Sequence, residues 1–370
     1  MDLSLNETQL LIKEMTSDFV RNDCDKDTLL DLDLLPAPMT DDLWRKIAEL
    51  GWMGMMIPEE YGGTGNSYTD VAVLYEELGR GPVPGPMFAS GVLSASIILE
   101  AGTASQKKDW LPQLANGTRV FVTAITEAQY GWTKRHVQMI AVAKGSDYNL
   151  SGVKLFVQDA ANATDLLVAA RVDGEVALFR IDAKASGVSI RPLDGFISGT
   201  TEIIFDNVAV SGADRLNGGW DAFERAAQPA IPILCAYKAG ACGAIFDLSV
   251  VYSRERQQFG QPIGRFQRVQ DHIIHIVNYL DSARWTTYEA LWKLDAGMDA
   301  ASCVHTAKVV SSDSYLRACD FGHEVHAGIG VVREYGLTLH TKMSRTLFHH
   351  LGAPTHHRKA LERALNLIPV

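Results

Sequence analysis

The chain has 370 residues, of which 47% are hydrophobic and 21% charged, and its formal net charge is −10. This balance suits a folded chain that forms two or three packed units, and it excludes global disorder. No long run of Lys or Arg occurs, so nucleic-acid binding is disfavoured as the main task.

The first part of the chain, residues 1–118, is predicted to be helical. From Asn6 onwards, apolar residues recur at a three- and four-residue spacing that gives one apolar stripe: Leu10, Leu11, Met15, Phe19 and Val20. Thr40 is the predicted N-cap of the next helix. Further helices are predicted at 71–78, 90–99 and 105–114, with loops of Gly and Pro at 58–65 and 79–86.

The middle part, residues 119–218, is rich in β-branched residues. Its short strand candidates predict a compact antiparallel sheet domain, sandwich-like or barrel-like: 119–126, 138–143, 148–157, 165–172, 175–181, 188–192 and 201–210. Residues 219–370 return to a helical period, with long segments at 220–254, 264–296, 299–326 and from 355. These predict a C-terminal four-helix bundle. The expected fold class is therefore α+β, mainly α.

The chain is expected to be cytoplasmic. Its N-terminus has early acidic residues and no apolar core of a secretory signal. No segment is expected to reach the roughly 20 apolar residues that a membrane span requires. Five widely spaced cysteines with no Cys-x-x-Cys pair favour reduced thiols over a disulfide framework or a zinc site.

Five short strings in this order resemble the acyl-CoA dehydrogenase family. They are IPEEYGG at 57–63, AITE at 124–127, FDNVAV at 205–210, RERQQFGQPI at 254–263 followed by FQ at 266–267, and HAGIG at 326–330. The resemblance covers nearly the whole chain. It implies FAD as cofactor, an acyl-CoA thioester as substrate, and electron-transfer flavoprotein or a similar protein as electron acceptor. A carboxylate base would remove a proton next to the thioester carbonyl, while FAD takes a hydride.

The resemblance assigns several residues to FAD. Arg256, Phe259 and Gln267 match positions that hold the diphosphate and adenosine of an FAD bound to a neighbouring subunit, and a guanidinium suits a diphosphate. Glu324, where members usually have Gln, and Gly328 match the loop that wraps the same end of FAD.

On the flavin side, the resemblance implies contacts from three residues of the sheet domain. Thr126 matches the hydroxyl that meets the flavin ring, while Phe156 and Gln158 stand where members usually have Trp and a Thr or Ser. The Gly-Ser turn that follows in members is replaced by AQYGWTK at 128–134. Flavin binding by this chain's own sheet domain is thereby put in doubt.

The residue that the chemistry most needs is missing from its usual positions. Leu351 stands where most members have the catalytic Glu, and Ala230 stands at the second known position, beside Ile231. His350 is a weak candidate for a replacement base, since histidine titrates near neutral pH. No metal site is expected.

Three hypotheses follow. In the first, the chain is one subunit of a mixed assembly, a heterotetramer in which a second acyl-CoA dehydrogenase-like chain supplies the Glu. Such pairs often act on bulky ring-bearing thioesters, including steroid side chains. In the second, it is a self-sufficient flavoenzyme, for instance a homotetrameric oxidase, a monooxygenase or a His-based dehydrogenase. In the third, it is a non-enzymatic scaffold that has lost FAD.

Overall fold

The computed structural model describes residues 4–193, 195 and 199–366. The chain divides into two compact units. The helical unit comprises Met1–Asp33, Ser67–Val83 and Ile231–Val370, and the sheet unit comprises Leu34–Asn66 and Pro84–Ala230. The N-terminal part of the chain thus contributes to both units. The domain boundaries after residues 118 and 218 stay predictions.

Eleven α-helices occur in the described ranges. In chain order they are α1 Glu7–Asp23, α2 Lys26–Leu32, α3 Asp41–Glu49, α4 Tyr68–Arg80, α5 Ala95–Ala101, α6 Ala104–Ala115, α7 Gly219–Glu255, α8 Gln267–Asp295, α9 Ala301–His326, α10 Leu337–His349 and α11 Pro354–Ala364. A π-helical segment, Phe88–Ser94, leads into α5. The predicted helices are therefore present.

Local side-chain chemistry fixes several helix starts. Asn6 and Gln9 form a reciprocal capping box at α1, and Thr40 accepts a hydrogen bond from the Leu43 N–H at α3, as predicted. The apolar stripe predicted for α1 is only partly buried. Phe19 is inside, but Leu10, Leu11 and Met15 are exposed. The buried face instead uses polar residues whose hydrogen bonds are satisfied, including Gln9, which donates to Asp70.

Two helices were absent from the prediction, α2 and α10. α10 follows Gly336, whose φ of 93° only glycine adopts at low cost, so the chain turns sharply into the helix. The C-terminal part of the chain therefore has five helices, α7 to α11, where four were expected.

The sheet unit contains one curled seven-stranded sheet. Its strands are β1 Phe121–Ala124, β2 Ile140–Lys144, β3 Asp147–Gln158, β4 Asp165–Val172, β5 Glu175–Asp182, β6 Val188–Pro192 and β7 Thr200–Val210. The order is β1-β4-β2-β3-β7-β6, and β5 also pairs with β4. β1 and β2 run parallel to β4, so the prediction of a purely antiparallel sheet was wrong. The chain between the partners, 125–164 for β1 and β4 and 145–164 for β2 and β4, is long enough for these parallel pairings, which a tight hairpin cannot make.

By length and composition, α7 could cross a membrane, contrary to the expectation that no segment would qualify. Its most apolar 18-residue window is 72% buried inside the protein. This burial is that of a core helix, whose apolar residues are covered by other parts of the same chain.

Within the helical unit, α4 and α7 touch backbone to backbone. A Cβ added at Gly240 would lie 1.7 Å from the Glu76 carbonyl oxygen, and one at Gly79 would lie 1.9 Å from the Tyr237 carbonyl oxygen. No side chain fits at either crossing point, so the two glycines set the distance between these helices.

We therefore expect Gly240→Ala to lower the free energy of unfolding by about 1–3 kcal/mol or more, because the two backbones must separate. Gly328→Ala is the matched control, since nothing lies within 4 Å of a Cβ added there. Urea denaturation measures both. Equal stability of the two variants would show that the α4–α7 contact is not tight.

Candidate functional site

The residues assigned to the adenosine side of FAD lie on a short hairpin that follows α7. The Arg256 N–H donates to the Tyr252 carbonyl at 2.9 Å, and the Arg256 carbonyl accepts from the Ile263 N–H at 2.8 Å. Between them, β8 Gln257–Gln258 pairs with β9 Gln261–Pro262. The hairpin thus holds the Arg256 and Phe259 backbones in a defined geometry.

Their side chains point away from the chain. Phe259 is 91% exposed and has a φ of 53°, with an edge-on contact to Phe266 at 6.0 Å between ring centroids. Arg256 and Gln267 are also exposed. Neither makes a side-chain hydrogen bond or ion pair to any residue in the described part of the chain. A fully exposed aromatic ring held in a left-handed conformation indicates contact with something outside this chain.

The loop that follows α9 lies at the same end of the helical unit. The His326 ring stacks on Tyr252, one turn before Arg256, at 4.6 Å between centroids. Ala327 then takes a φ of 52°, and the chain continues through an exposed Gly328. Glu324, one turn earlier, is exposed as well. The hairpin after α7 and the loop after α9 are therefore neighbours. The exposed Arg256 suits a diphosphate there, whereas the negative charge of Glu324 does not.

In the sheet unit, the polar side chains predicted to meet the flavin bond within the chain instead of facing outward. The Thr126 side chain is buried, and its hydroxyl donates to the Leu155 carbonyl. A hydroxyl committed in this way has no proton left to donate to a flavin. Gln158 donates to the Thr200 hydroxyl at 2.7 Å. Two of the three polar or aromatic positions predicted to meet the flavin are thus engaged within the chain.

Phe156, the third of these positions, lies in a bulge of β3 with a φ of 58° and is 43% exposed. Tyr130 packs edge-on against its ring at 4.9 Å. Trp132, from the same segment, stacks on Phe223 at 6.5 Å. The segment that replaces the small Gly-Ser turn therefore fills space with aromatic rings, and this side fits a flavin less well.

The carboxylate next to Thr126 has a structural role. Glu127 accepts hydrogen bonds from the Gln138 and Met139 N–H groups and from Lys154 Nζ, the last at 2.7 Å. Burial lowers the pKa of Lys154 to about 8, against the effect of Glu127. Glu127 thus joins the segment that leads into β2 to Lys154 of β3, and its oxygens are already engaged in three hydrogen bonds within the chain.

Leu351, at the usual base position, is 4% exposed and has a φ of 57°. Its carbonyl accepts a hydrogen bond from His357 Nε2 at 2.8 Å, and His357 Nδ1 lies 3.0 Å from His305 Nδ1. Burial is the main cause that lowers the pKa of His357 to about 2 and of His305 to about 4. Two neutral imidazoles thus fix the backbone that members use to present a glutamate, but the side chain here cannot accept a proton.

The second base position offers no alternative. Ala230 is fully buried and Ile231 nearly so. Neither side chain carries a polar atom.

His350 is partly buried and lies within electrostatic reach of two lysines. Burial and the charges of Lys308 and Lys238 lower its pKa to about 3. An imidazole with such a pKa is a weak base at neutral pH, which argues against a general-base role for His350.

The two lysines are themselves unusual. Both side chains are fully buried, and both nitrogens contact the Ser312 hydroxyl, Lys238 at 2.8 Å and Lys308 at 3.2 Å. Lys308 also donates to the Phe348 carbonyl at 3.3 Å. No carboxylate forms an ion pair with either lysine among the described residues. Burial lowers the pKa of both amines, and for Lys308 the charge of Lys238 lowers it further.

Sequence reasoning missed these lysines and also Asp159. Asp159 directly follows Gln158 and has a φ of 59°, and burial raises the pKa of its carboxyl to about 7. A lysine within the apolar pattern of α7 was the available signal for Lys238. For Asp159, no pattern marks an aspartate after a strand as buried.

No group of three or more His, Cys, Asp or Glu residues that could hold a metal ion occurs in the described ranges.

Comparison with known proteins decides the family. Models for the N-terminal, middle and C-terminal domains of acyl-CoA dehydrogenase match residues 6–118, 122–208 and 217–365. A probable acyl-CoA dehydrogenase of Bacillus subtilis, YngJ, is 30% identical over 91% of this chain and 92% of its own length. The chain belongs to the acyl-CoA dehydrogenase family.

Two solved structures show how closely the family fold is kept. The Tcur3481-Tcur3483 steroid ACAD is 25% identical, with a TM-score of 0.88 over 98% of this chain and 99% of that one. PigA, solved as its FAD complex, is 24% identical, with a TM-score of 0.91 over 99% and 100%. The predicted fold class, with a helical N-terminal part, a middle sheet and a helical C-terminal part, is confirmed.

We expect Lys238→Met to raise the free energy of unfolding at pH 7 by about 1 kcal/mol or more, because an apolar side chain of similar volume avoids the cost of burying an amine. The lowered pKa of Lys238 and Lys308 means that the unfolded chain binds more protons below pH 10.5. Wild-type stability should therefore rise with pH towards that value, and the variant should show a smaller rise.

Urea denaturation at pH 7 and pH 9.5 measures this difference. Lys359→Met, at an exposed position of α11, is the matched control and should leave the pH dependence unchanged. A strong loss of stability in Lys238→Met at pH 7 would instead show that the buried amine stabilises the fold.

Proposed function

We propose that this chain is a cytoplasmic acyl-CoA dehydrogenase subunit that takes part in the FAD-dependent α,β-dehydrogenation of an acyl-CoA thioester together with a different chain. In this proposal the partner chain supplies the catalytic glutamate, and the two chains share FAD at their interface in a heterotetramer. The observation that carries the proposal is the contrast between the outward-facing Arg256 and Phe259 and the apolar Leu351 at the base position.

The reaction needs a proton acceptor beside the substrate. FAD, when bound, accepts the hydride from the carbon that is β to the thioester carbonyl. The proton from the α carbon must pass to a basic side chain within hydrogen-bonding distance. Leu351 and Ala230 have no basic side-chain atom, Glu127 is engaged in three hydrogen bonds within the chain, and His350 is a weak base. The chain therefore lacks a suitable acceptor at each position that the family is known to use.

What the chain retains is suited to another subunit's cofactor. Arg256 offers a fixed positive charge and paired N–H donors, which suit a diphosphate. Phe259 offers an exposed ring on a rigid hairpin, and Gln267 an exposed amide at the start of α8. No hydrogen bond or ion pair to a described residue of this chain has to be broken before the Arg256 and Gln267 side chains bind a ligand. They support a role in holding the adenosine diphosphate part of FAD.

Likeness to a two-component dehydrogenase supports the choice of partner. The similar structure Tcur3481-Tcur3483 is a steroid ACAD whose name joins two proteins. By analogy, this chain would act on a bulky ring-bearing thioester and pass electrons to electron-transfer flavoprotein or a similar acceptor. Fold analogy alone does not determine a substrate, so this part of the proposal rests on that likeness.

The alternative of a self-sufficient enzyme depends on His350 or on an unassigned base. The low pKa of His350 and the internal hydrogen bond of Thr126 both weigh against it. The exposed Arg256 and Phe259 weigh against the alternative of a scaffold without FAD. Their side chains point outward, where a ligand or another chain could contact them.

The proposal predicts what accompanies the chain in cells. A tagged copy isolated from its native source should bring down, in equal amounts, a second acyl-CoA dehydrogenase chain that carries the missing glutamate. The complex should show flavin absorbance. A homotetramer without such a chain would contradict the proposal.

Arg256→Ala in that complex should weaken FAD binding roughly tenfold to a hundredfold, since a hydrogen-bonded charge contributes about 1.5–3 kcal/mol. Arg265→Ala, at an exposed position in the same loop, is the matched control. Flavin released on dilution measures both, and size-exclusion chromatography checks that the assembly is intact. Equal flavin retention in the two variants would rule out the assignment of Arg256.

A further inference from the structure

Three reactive side chains meet where α8 connects to α9, and the proposed function uses none of them. Lys293 Nζ lies 2.9 Å from Cys303 Sγ. Glu289 Oε1 lies 3.5 Å from the same sulfur and 3.6 Å from Lys293 Nζ. Glu289 and Lys293 occupy successive turns of α8, and Cys303 lies in the first turn of α9. All three belong to the helical unit.

Cys303 differs from the other cysteines of the chain. Cys24, Cys235, Cys242 and Cys319 are at most 1% exposed, whereas Cys303 is 9% exposed. Its neighbours are open to solvent, with the Lys293 side chain 22% exposed and that of Glu289 49% exposed. The Cys303 sulfur is itself buried, but it contacts two side chains that reach solvent, so a small polar oxidant has a short path to it past Lys293 and Glu289.

We propose that Cys303 and Lys293 form a modification site, at which hydrogen peroxide links the two side chains through one oxygen atom as sulfur–oxygen–nitrogen. The 2.9 Å between Lys293 Nζ and Cys303 Sγ is a non-bonded contact that places the amine and the sulfur side by side, where one oxygen atom can bridge them. This inference does not rest on the proposed function.

The chemistry balances with two molecules of peroxide. The Cys303 sulfur attacks the first, so that a sulfur–oxygen bond forms, the oxygen–oxygen bond breaks, and sulfenic acid and water result. The contact with Cys303 raises the pKa of Lys293, so the amine reacts through its deprotonated fraction. Once its proton has passed to water, the amine attacks the second peroxide and becomes a hydroxylamine, again with loss of water.

The hydroxylamine oxygen then attacks the sulfenic sulfur, and a third water leaves. Sulfur and nitrogen each lose two electrons, and each peroxide gains two. The product gains one oxygen atom and loses two hydrogen atoms relative to the starting pair.

The link would join residues ten positions apart and close the α8–α9 connection. A covalent closure removes conformations from the unfolded chain, so it should raise thermal stability. A reducing thiol would break the sulfur–oxygen bond and return the protein to its original stability.

Peptide mapping tests the proposal, because the ten methionines of the chain also oxidise and obscure the intact mass. The full-length chain is treated with hydrogen peroxide and digested with trypsin. We expect loss of cleavage after Lys293 and a peptide in which Lys293 and Cys303 are joined with one added oxygen. Excess dithiothreitol should restore normal cleavage after Lys293, because one molecule reduces the sulfur–oxygen bond to the thiol and a hydroxylamine, and a second reduces the hydroxylamine to the amine with loss of water.

Two variants serve as controls, each checked for a wild-type thermal transition before treatment. Cys303→Ser should keep normal cleavage after Lys293. Lys293→Arg keeps the charge but removes the amine, so it should give oxidised Cys303 without a link. Oxidation of Cys303 with normal cleavage after Lys293 in the wild type would overturn the proposal. So would an unreacted Cys303, or a linked product in Lys293→Arg.

Discussion

Two buried lysines that share one serine hydroxyl lie, at a cost in stability, where three helices of the helical unit meet. Lys238 belongs to α7, Lys308 and Ser312 belong to α9, and Lys308 also bonds to the carbonyl of Phe348 at the end of α10. The contact thus ties three helices together close to the loop that enters α11. It also sets the electrostatics of that loop, because positive charge there disfavours protonation of His350.

Two histidines hold the backbone of the same loop, in which Leu351 stands where most family members have the catalytic glutamate. His305 and His357 bond to each other, and His357 holds the Leu351 carbonyl. The left-handed conformation of Leu351 is thereby maintained without any catalytic side chain. The sheet unit shows a comparable replacement, in which Tyr130 and Trp132 pack against other aromatic rings where members have a small turn. In both places, side chains that pack within the chain stand where family members have residues that contact substrate or flavin. The hairpin that carries Arg256 and Phe259 instead presents exposed side chains to a ligand.

Much of the fold was predictable from the sequence because its signals are local. The strands at 165–172 and 188–192 were predicted with their observed bounds, since runs rich in β-branched or apolar residues between turn residues mark them. α10 was missed because its first turn, after Gly336, carries no capping side chain. The parallel pairing of β1 with β4 was missed because register between distant strands leaves no local signal.

The candidate site was predictable only in part. The strings around Arg256 and Leu351 marked their positions, but whether a side chain points outward or bonds internally depends on the folded chain. Thr126 illustrates this limit, because a hydroxyl expected at the flavin instead donates to the Leu155 carbonyl. The burial of Lys238 and the raised pKa of Asp159 likewise arise from neighbours distant in sequence.

The most direct test of the account is the flavin content and activity of the purified chain on its own. Flavin absorbance per chain is measured together with acyl-CoA oxidation in the presence of an artificial electron acceptor. The account predicts a chain that binds far less than one flavin per subunit and shows no turnover. A yellow homomer with one FAD per subunit that oxidises an acyl-CoA would contradict it.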